Sequence, residues 1–173
     1  MLSMDVKVKG NYAPQKKMFP VTTAMISLKE GSVLTQYYPH PIEQMEMAAE
    51  VNNRTGTMQD MVVKIKPLTF RFEDKPFTLT ASLENFEDMR YDVQSNGVID
   101  LGKVYKVFSQ DGLSLDGYIE TDLSLKGRQS DATSGRIDKL HNKGTLILKN
   151  IALSSDDYPR PLIIKTGNFR FDR

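Results

Sequence analysis

Leu113-Ser114-Leu115-Asp116-Gly117-Tyr118-Ile119-Glu120-Thr121-Asp122-Leu123-Ser124-Leu125 puts an apolar or small residue at every second position, with mostly polar residues between. Alternate side chains of a strand point to opposite faces, so this run is one long, half-buried strand. At about 3.3 Å per residue it extends roughly 40 Å. Similar stripes lie on either side of it. Met45, Met47, Ala49 and Val51 form one; Met61, Val63 and Ile65 form a second. Leu68, Phe70 and Phe72 continue on the other parity, and Phe77, Leu79, Ala81 and Leu83 follow.

Turn-forming residues separate the stripes: 52–56 (Asn-Asn-Arg-Thr-Gly), 74–76 (Asp-Lys-Pro) and 95–97 (Ser-Asn-Gly). The Asn96-Gly97 pair predicts a tight hairpin. Pro67, between two stripes of opposite parity, predicts a bend, an edge or a strand junction. One stretch reads as helix. Leu101, Val104, Tyr105 and Phe108 recur at i, i+3, i+4 and i+7, and Asp100 is placed to cap them. Gly102 weakens that helix by about 1 kcal/mol. So short an element would plug or cap something rather than form a layer.

The chain also matches itself. Leu28-Lys29 corresponds to Leu148-Lys149, and Tyr38-Pro39-His40-Pro41-Ile42 to Tyr158-Pro159-Arg160-Pro161-Leu162, both 120 residues apart. Upstream, residues 5–10 match residues 122–127 at an offset of 117. The difference of three falls in polar linkers, where insertions are tolerated. Each proline fixes its own φ and holds the preceding residue extended. Tyr38, Pro39 and Pro41, and likewise Tyr158, Pro159 and Pro161, therefore read as stiff structural corners that do not pair inside a sheet. The expected fold is all-β: a long, curved, mostly antiparallel sheet, trough or sandwich-like, built from two related copies with one short helix. Residues 1–110 form the first copy, with the helix near 100–108. Residues 111–173 form a second, truncated copy in the same sheet system.

Residues 144–153 (GTLILKNIAL), 158–164 (YPRPLII) and 167–171 (GNFRF), with 117–127 upstream, resemble the C-terminal region of AsmA-like, TamB-type proteins. The shared pattern is a glycine, alternating apolar residues, an Asn-apolar pair, a proline-rich corner and another alternating strand. In the first copy Glu30-Gly31 stands where the second has Asn150-Ile151. The resemblance implies a large periplasmic protein of Gram-negative bacteria, anchored in the inner membrane by a region outside residues 1–173. It further implies an apolar β-trough that moves phospholipid toward the outer membrane and serves its assembly. Phospholipid acyl chains and the remainder of the same polypeptide are the expected partners. Val63, Ile65, Phe70, Phe72, Ile119 and Leu123 would face the lipid. A structural scaffold or adhesin module with a closed core would show the same alternation.

Composition narrows the rest. Lys and Arg number 23 against 22 Asp and Glu, a balance with no electrostatic footprint for nucleic acid or an anionic membrane. Without cysteine there is no disulfide or thiolate-metal framework. No apolar run reaches the roughly 18–20 residues of a membrane span. Met1 to Met4 lacks the basic and apolar regions of a signal peptide and reads as the start of a mature or excised fragment, with a natural cytoplasmic start as the alternative.

No constellation of residues points to catalysis, a metal or a cofactor. His40, between prolines, and His141, in a polar stretch, have no partner at ligand or triad spacing. Asp156-Asp157 and the acids between 131 and 138 lack EF-hand spacing and read as solvated loops. Glu43/Glu46 and Glu84/Glu87 have Lys or Arg nearby and need no chemistry. Asn53-Arg54-Thr55 is a glycosylation sequon in form and also simply a turn cluster. The nine methionines read as filler of an irregular core, or as an adaptable apolar surface for acyl chains. The expectation is a non-enzymatic protein whose single polar side chains are dispensable.

Overall fold

The alternation of residues 113–125 is realised in a strand of 16 residues, Leu113–Arg128. A computed structural model describes residues 1–10, 19–108, 112–156 and 158–172, the side chains of Tyr158 and Pro159 apart. Asp157, named above among the loop acids, lies outside the described residues. In chain order the elements are β1 (Leu2–Lys9), β2 (Val21–Thr35), β3 (Tyr38–Asn53), β4 (Val62–Phe72), β5 (Lys75–Glu84), β6 (Arg90–Asp100), α1 (Leu101–Phe108), β7 (Leu113–Arg128), α2 (Gln129–Thr133), β8 (His141–Ser155) and β9 (Tyr158–Asp172). All nine strands form one sheet in sequential order, each antiparallel to its neighbours, and the sheet does not close into a barrel. It is a single layer among the described residues, so the sandwich alternative is not the architecture. A second short helix, α2, joins the one expected.

Bulges keep one face apolar through strands of this length. Ile65 pairs with Ala81, but the next pair on that face is Leu68 with Leu79, so Lys66-Pro67 carries the extra residue. Parity flips there while Val63, Ile65, Leu68 and Phe70 stay on one side, because a bulge adds one residue to one strand only. Asn150, at φ 50°, does the same for Leu148 and Ile151 in β8.

The two copies share this geometry. Asp5 pairs with Met25 as Asp122 pairs with Thr145; Leu28 with Met47 as Leu148 with Gly167; Val33 with Ile42 as Leu153 with Leu162. Glu30, at φ 51°, occupies the bulge position of Asn150, 120 residues earlier. The chain reverses at Gln36-Tyr37, before the first proline corner. Thr35 pairs with Tyr38 and Val33 with Ile42, so Pro39 and Pro41 sit in a register shift where the ladder needs no donor.

Two expectations are corrected. Residues 95–97 are not a hairpin: β6 runs straight through them, with Asn96 paired to Thr78 on one side and Asp122 on the other. Gly97 adopts φ +129°, and a Cβ there would meet the carbonyl oxygen of Pro76 at 2.4 Å. The glycine answers a close backbone approach, not a turn. In α1, Asp100 caps as expected, accepting from Lys103 N at 3.0 Å. The stripe is rotated, however. Val107 is 1% exposed, whereas Phe108 is 58% exposed.

Val107 packs with Ile42 and Phe72 in a small core flanked by Val33, Tyr38, Met45, Phe70 and Val104. Lys103 Nζ donates to Glu73 at 2.7 Å, Tyr38 donates to the same carboxylate, and Tyr105 donates to the Leu113 carbonyl. The helix thus touches β2 and β3 on one flank and β7 on the other. It lies on the apolar face of the sheet, over Ile42 and Phe72.

Candidate functional site

Following each pairing across the sheet assigns every strand two faces. One carries Met4 and Val6 (β1), Ile26 and Leu28 (β2), Met47 and Ala49 (β3), then Ile65, Leu79, Val93, Leu123 and Leu146 on the next five strands, and Phe169 on β9. The other carries Asp5, Glu50, Lys64, Thr80, Gln94, Ser124, Lys143 and Arg170. Cross-strand ion pairs such as Lys66–Glu50 (3.7 Å) and Lys126–Asp92 (2.9 Å) lace the polar side. Exposed pairs of this kind contribute at most about 1 kcal/mol each.

What distinguishes the apolar side is how little covers it. Among the described residues, α1 closes one end. At the other, Leu140 (8% exposed) lies over Gly127 beside Tyr91. Between these ends the face is half-buried by lateral contact alone, and at the edges it is bare: Met4 is 69%, Leu162 54% and Phe169 49% exposed. The chain exposes 11850 Å² in all. A compact monomer of this length exposes about 8,600 Å².

The six residues singled out from the sequence share this face by register. Val63 pairs with Val51 and Leu83, Ile65 with Ala49 and Ala81, Ile119 with Ile99 and Leu148, and Leu123 with Ser95 and Gly144. Phe70 stacks on Phe77 at 5.2 Å between centroids, beside the α1 cluster. Phe72, at 5% exposed, sits under Val107 and belongs to the closed core rather than the open surface. One polar feature on this face was not legible in the alternation. Ser95 and Thr121 share a hydroxyl hydrogen bond of 2.6 Å, which lets Thr121 be 95% buried without an orphaned group.

The polar side holds a shallow groove of about 440 Å³ across β5 to β8, lined by Thr78, Gln94, Asn96, Asp122, Ser124 and Lys143. Asn96 Nδ2 donates to Asp122 there at 3.2 Å. No group of three or more metal-ligating side chains occurs among the described residues. His40 stacks against Tyr38, and His141 is exposed at the start of β8. The sequon's Asn53 is fully buried: its Nδ2 donates to the Thr57 carbonyl and its Oδ1 accepts from Gly56 N, so it builds the turn after β3. No helix among the described residues is long and apolar enough to cross a membrane. No family model, curated protein or solved structure matches the chain.

Proposed function

We propose that this chain is a non-enzymatic segment of an AsmA-like, TamB-type protein, periplasmic and anchored in the inner membrane through another region. Its apolar sheet face carries phospholipid acyl chains toward the outer membrane. The observation that carries the reading is the continuous apolar face of nine strands, left open between α1 and Leu140. Burial of each methylene is worth about 0.8 kcal/mol, so a dozen laid on the face contribute on the order of 10 kcal/mol before ordering costs. A tail needs no specific polar contact, in keeping with a face whose exposed atoms are mostly hydrocarbon. The compartment and direction rest on the resemblance of residues 117–127 and 144–171.

The test uses a photo-crosslinking amino acid at Ile119 or Leu123, with Glu120 and Ser124 on the opposite face as controls. Incubated with phosphatidylethanolamine and phosphatidylglycerol vesicles, positions 119 and 123 should capture phospholipid and positions 120 and 124 should not. Leu123→Asp should cut transfer of a fluorescent phospholipid between vesicles at least tenfold, with folding retained by circular dichroism. Ser124→Asp should leave transfer unchanged. Capture of protein alone at 119 and 123 would favour a scaffold whose face is sealed by a second sheet, and would sink the lipid reading.

A further inference from the structure

The apolar face does not stop where α1 covers it. Met47 pairs with Leu68 on the open face, and the same two strands run on beneath the helix through Met45 and Ile42 on β3 and through Phe70 and Phe72 on β4. Val33, paired with Ile42, carries the surface one strand further. What lies under α1 is therefore more of the same hydrocarbon.

The cover itself is a weak helix. Of its eight residues, Gly102, Val104, Tyr105, Val107 and Phe108 are poor helix formers. It also falls short of the roughly 12–15 residues that an isolated helix needs in water. Nor does the segment suit a strand. β6 ends with Asp100 opposite Tyr118, and residues 113–117 of β7 have no strand partner on that side among the described residues. Continuing β6 would put Lys103 on the parity of Ile99, in the apolar side. As a helix the segment turns Val104 and Val107 to the sheet and lets Lys103 reach Glu73 at 2.7 Å. Docking, not propensity, keeps it helical.

We propose that α1 is a displaceable lid over a latent acyl-binding surface made by Val33, Ile42, Met45, Phe70 and Phe72. A lipid tail on the open face takes the place of Val104 and Val107, with the Lys103–Glu73 pair as the latch. One apolar cover replaces another, so the sheet loses little burial. A segment without stability of its own is the one that gives way. The inference rests on the lipid reading of the face and adds a gate to it.

Hydrogen exchange of the whole chain without lipid gives the first test. Amides of α1 should exchange at least about a hundredfold faster than those of β4 and β5, through opening of the helix alone. Glu73→Ala should speed α1 a further threefold or so, within what a partly exposed ion pair contributes. Lys103→Met breaks the same pair from the helix side and should do likewise, with circular dichroism checking the sheet in both; Lys106→Ala should change nothing. The second test places a photo-crosslinker at Met45, beneath the lid. Without lipid it should capture α1. With phosphatidylethanolamine and phosphatidylglycerol vesicles it should capture phospholipid, about threefold more in Glu73→Ala, while capture at position 119 stays constant. Exchange of α1 at the rate of β4 and β5 would overturn the proposal and make α1 a fixed cap. Lipid captured at 119 but never at 45 would do the same and leave the carrier reading standing. No lipid at either position would sink both.

Discussion

Glu73 stands at the turn between β4 and β5, where one carboxylate gathers two elements. The Lys103 ammonium, and then the Tyr38 hydroxyl, hydrogen-bond to it and hold its pKa below the usual carboxylate range. A depressed folded pKa means this contribution to stability is complete above the unfolded value of about 4.3 and is lost as pH falls through the lower folded value. Wild type and Glu73→Gln should therefore differ in thermal midpoint at pH 6 and converge as pH drops below about 4. A gap that persists unchanged to pH 2 would remove the ionic account. Backbone sets a second residue-scale expectation. Glu30 and Asn150 hold φ of 51° and 50° at equivalent bulges, a conformation that asparagine tolerates better than glutamate. Glu30→Asn should raise stability by about 0.5–1 kcal/mol and Asn150→Glu lower it by a similar amount, read from urea midpoints. The sequence showed that these positions correspond; only their φ values explain why the second copy carries asparagine.

At the scale of elements, α1 was legible as a helix from its spacing and its Asp100 cap, but its buried side was not. Val104 and Val107 face the sheet because β2 to β4 lie on that flank, a neighbourhood set by strands more than thirty residues away. Val107→Ala should cost about 2 kcal/mol through lost burial and a cavity against Ile42 and Phe72. Phe108→Ala should cost less than about 0.5 kcal/mol, since that ring is exposed. Chemical denaturation of the two variants checks the order, and the reverse order would restore the stripe read from the sequence. The Asn96-Gly97 pair in β6 teaches a related lesson. A glycine with positive φ is needed both by a tight turn and by a strand whose neighbour's carbonyl comes close, and the dipeptide alone does not distinguish them. Pro67, read as a bend, an edge or a strand junction, lies instead in a bulge within β4, a strand paired on both sides, where its missing amide donor falls outside the ladder.

For the whole molecule, a single layer has a thermodynamic signature. Unfolding exposes new apolar surface in proportion to what was buried, and this chain keeps much of its apolar surface in water. A compact domain of this length has a heat-capacity change of about 2.1–2.6 kcal/mol/K. Calorimetry of the dilute chain should give less than about 1.8 kcal/mol/K, and phospholipid vesicles should raise its melting temperature by binding the folded state. A full-sized value in dilute solution would mean that the face is already covered.

Period-two alternation, turn residues and the 120-residue self-match were enough to determine an all-β chain of long strands with one apolar side, repeated in register. These are local properties, carried by the geometry of a single strand and by matching lengths between turns. Tertiary structure alone decided that nine strands pair in sequential order, that bulges at Pro67 and Asn150 carry the apolar side across changes of parity, and that α1 covers one end of that side while no second sheet covers it among the described residues. A strand's alternation is the same whether its apolar side meets another sheet, a helix or nothing. What covers a face depends on contacts between residues far apart in the chain, and no local pattern encodes them.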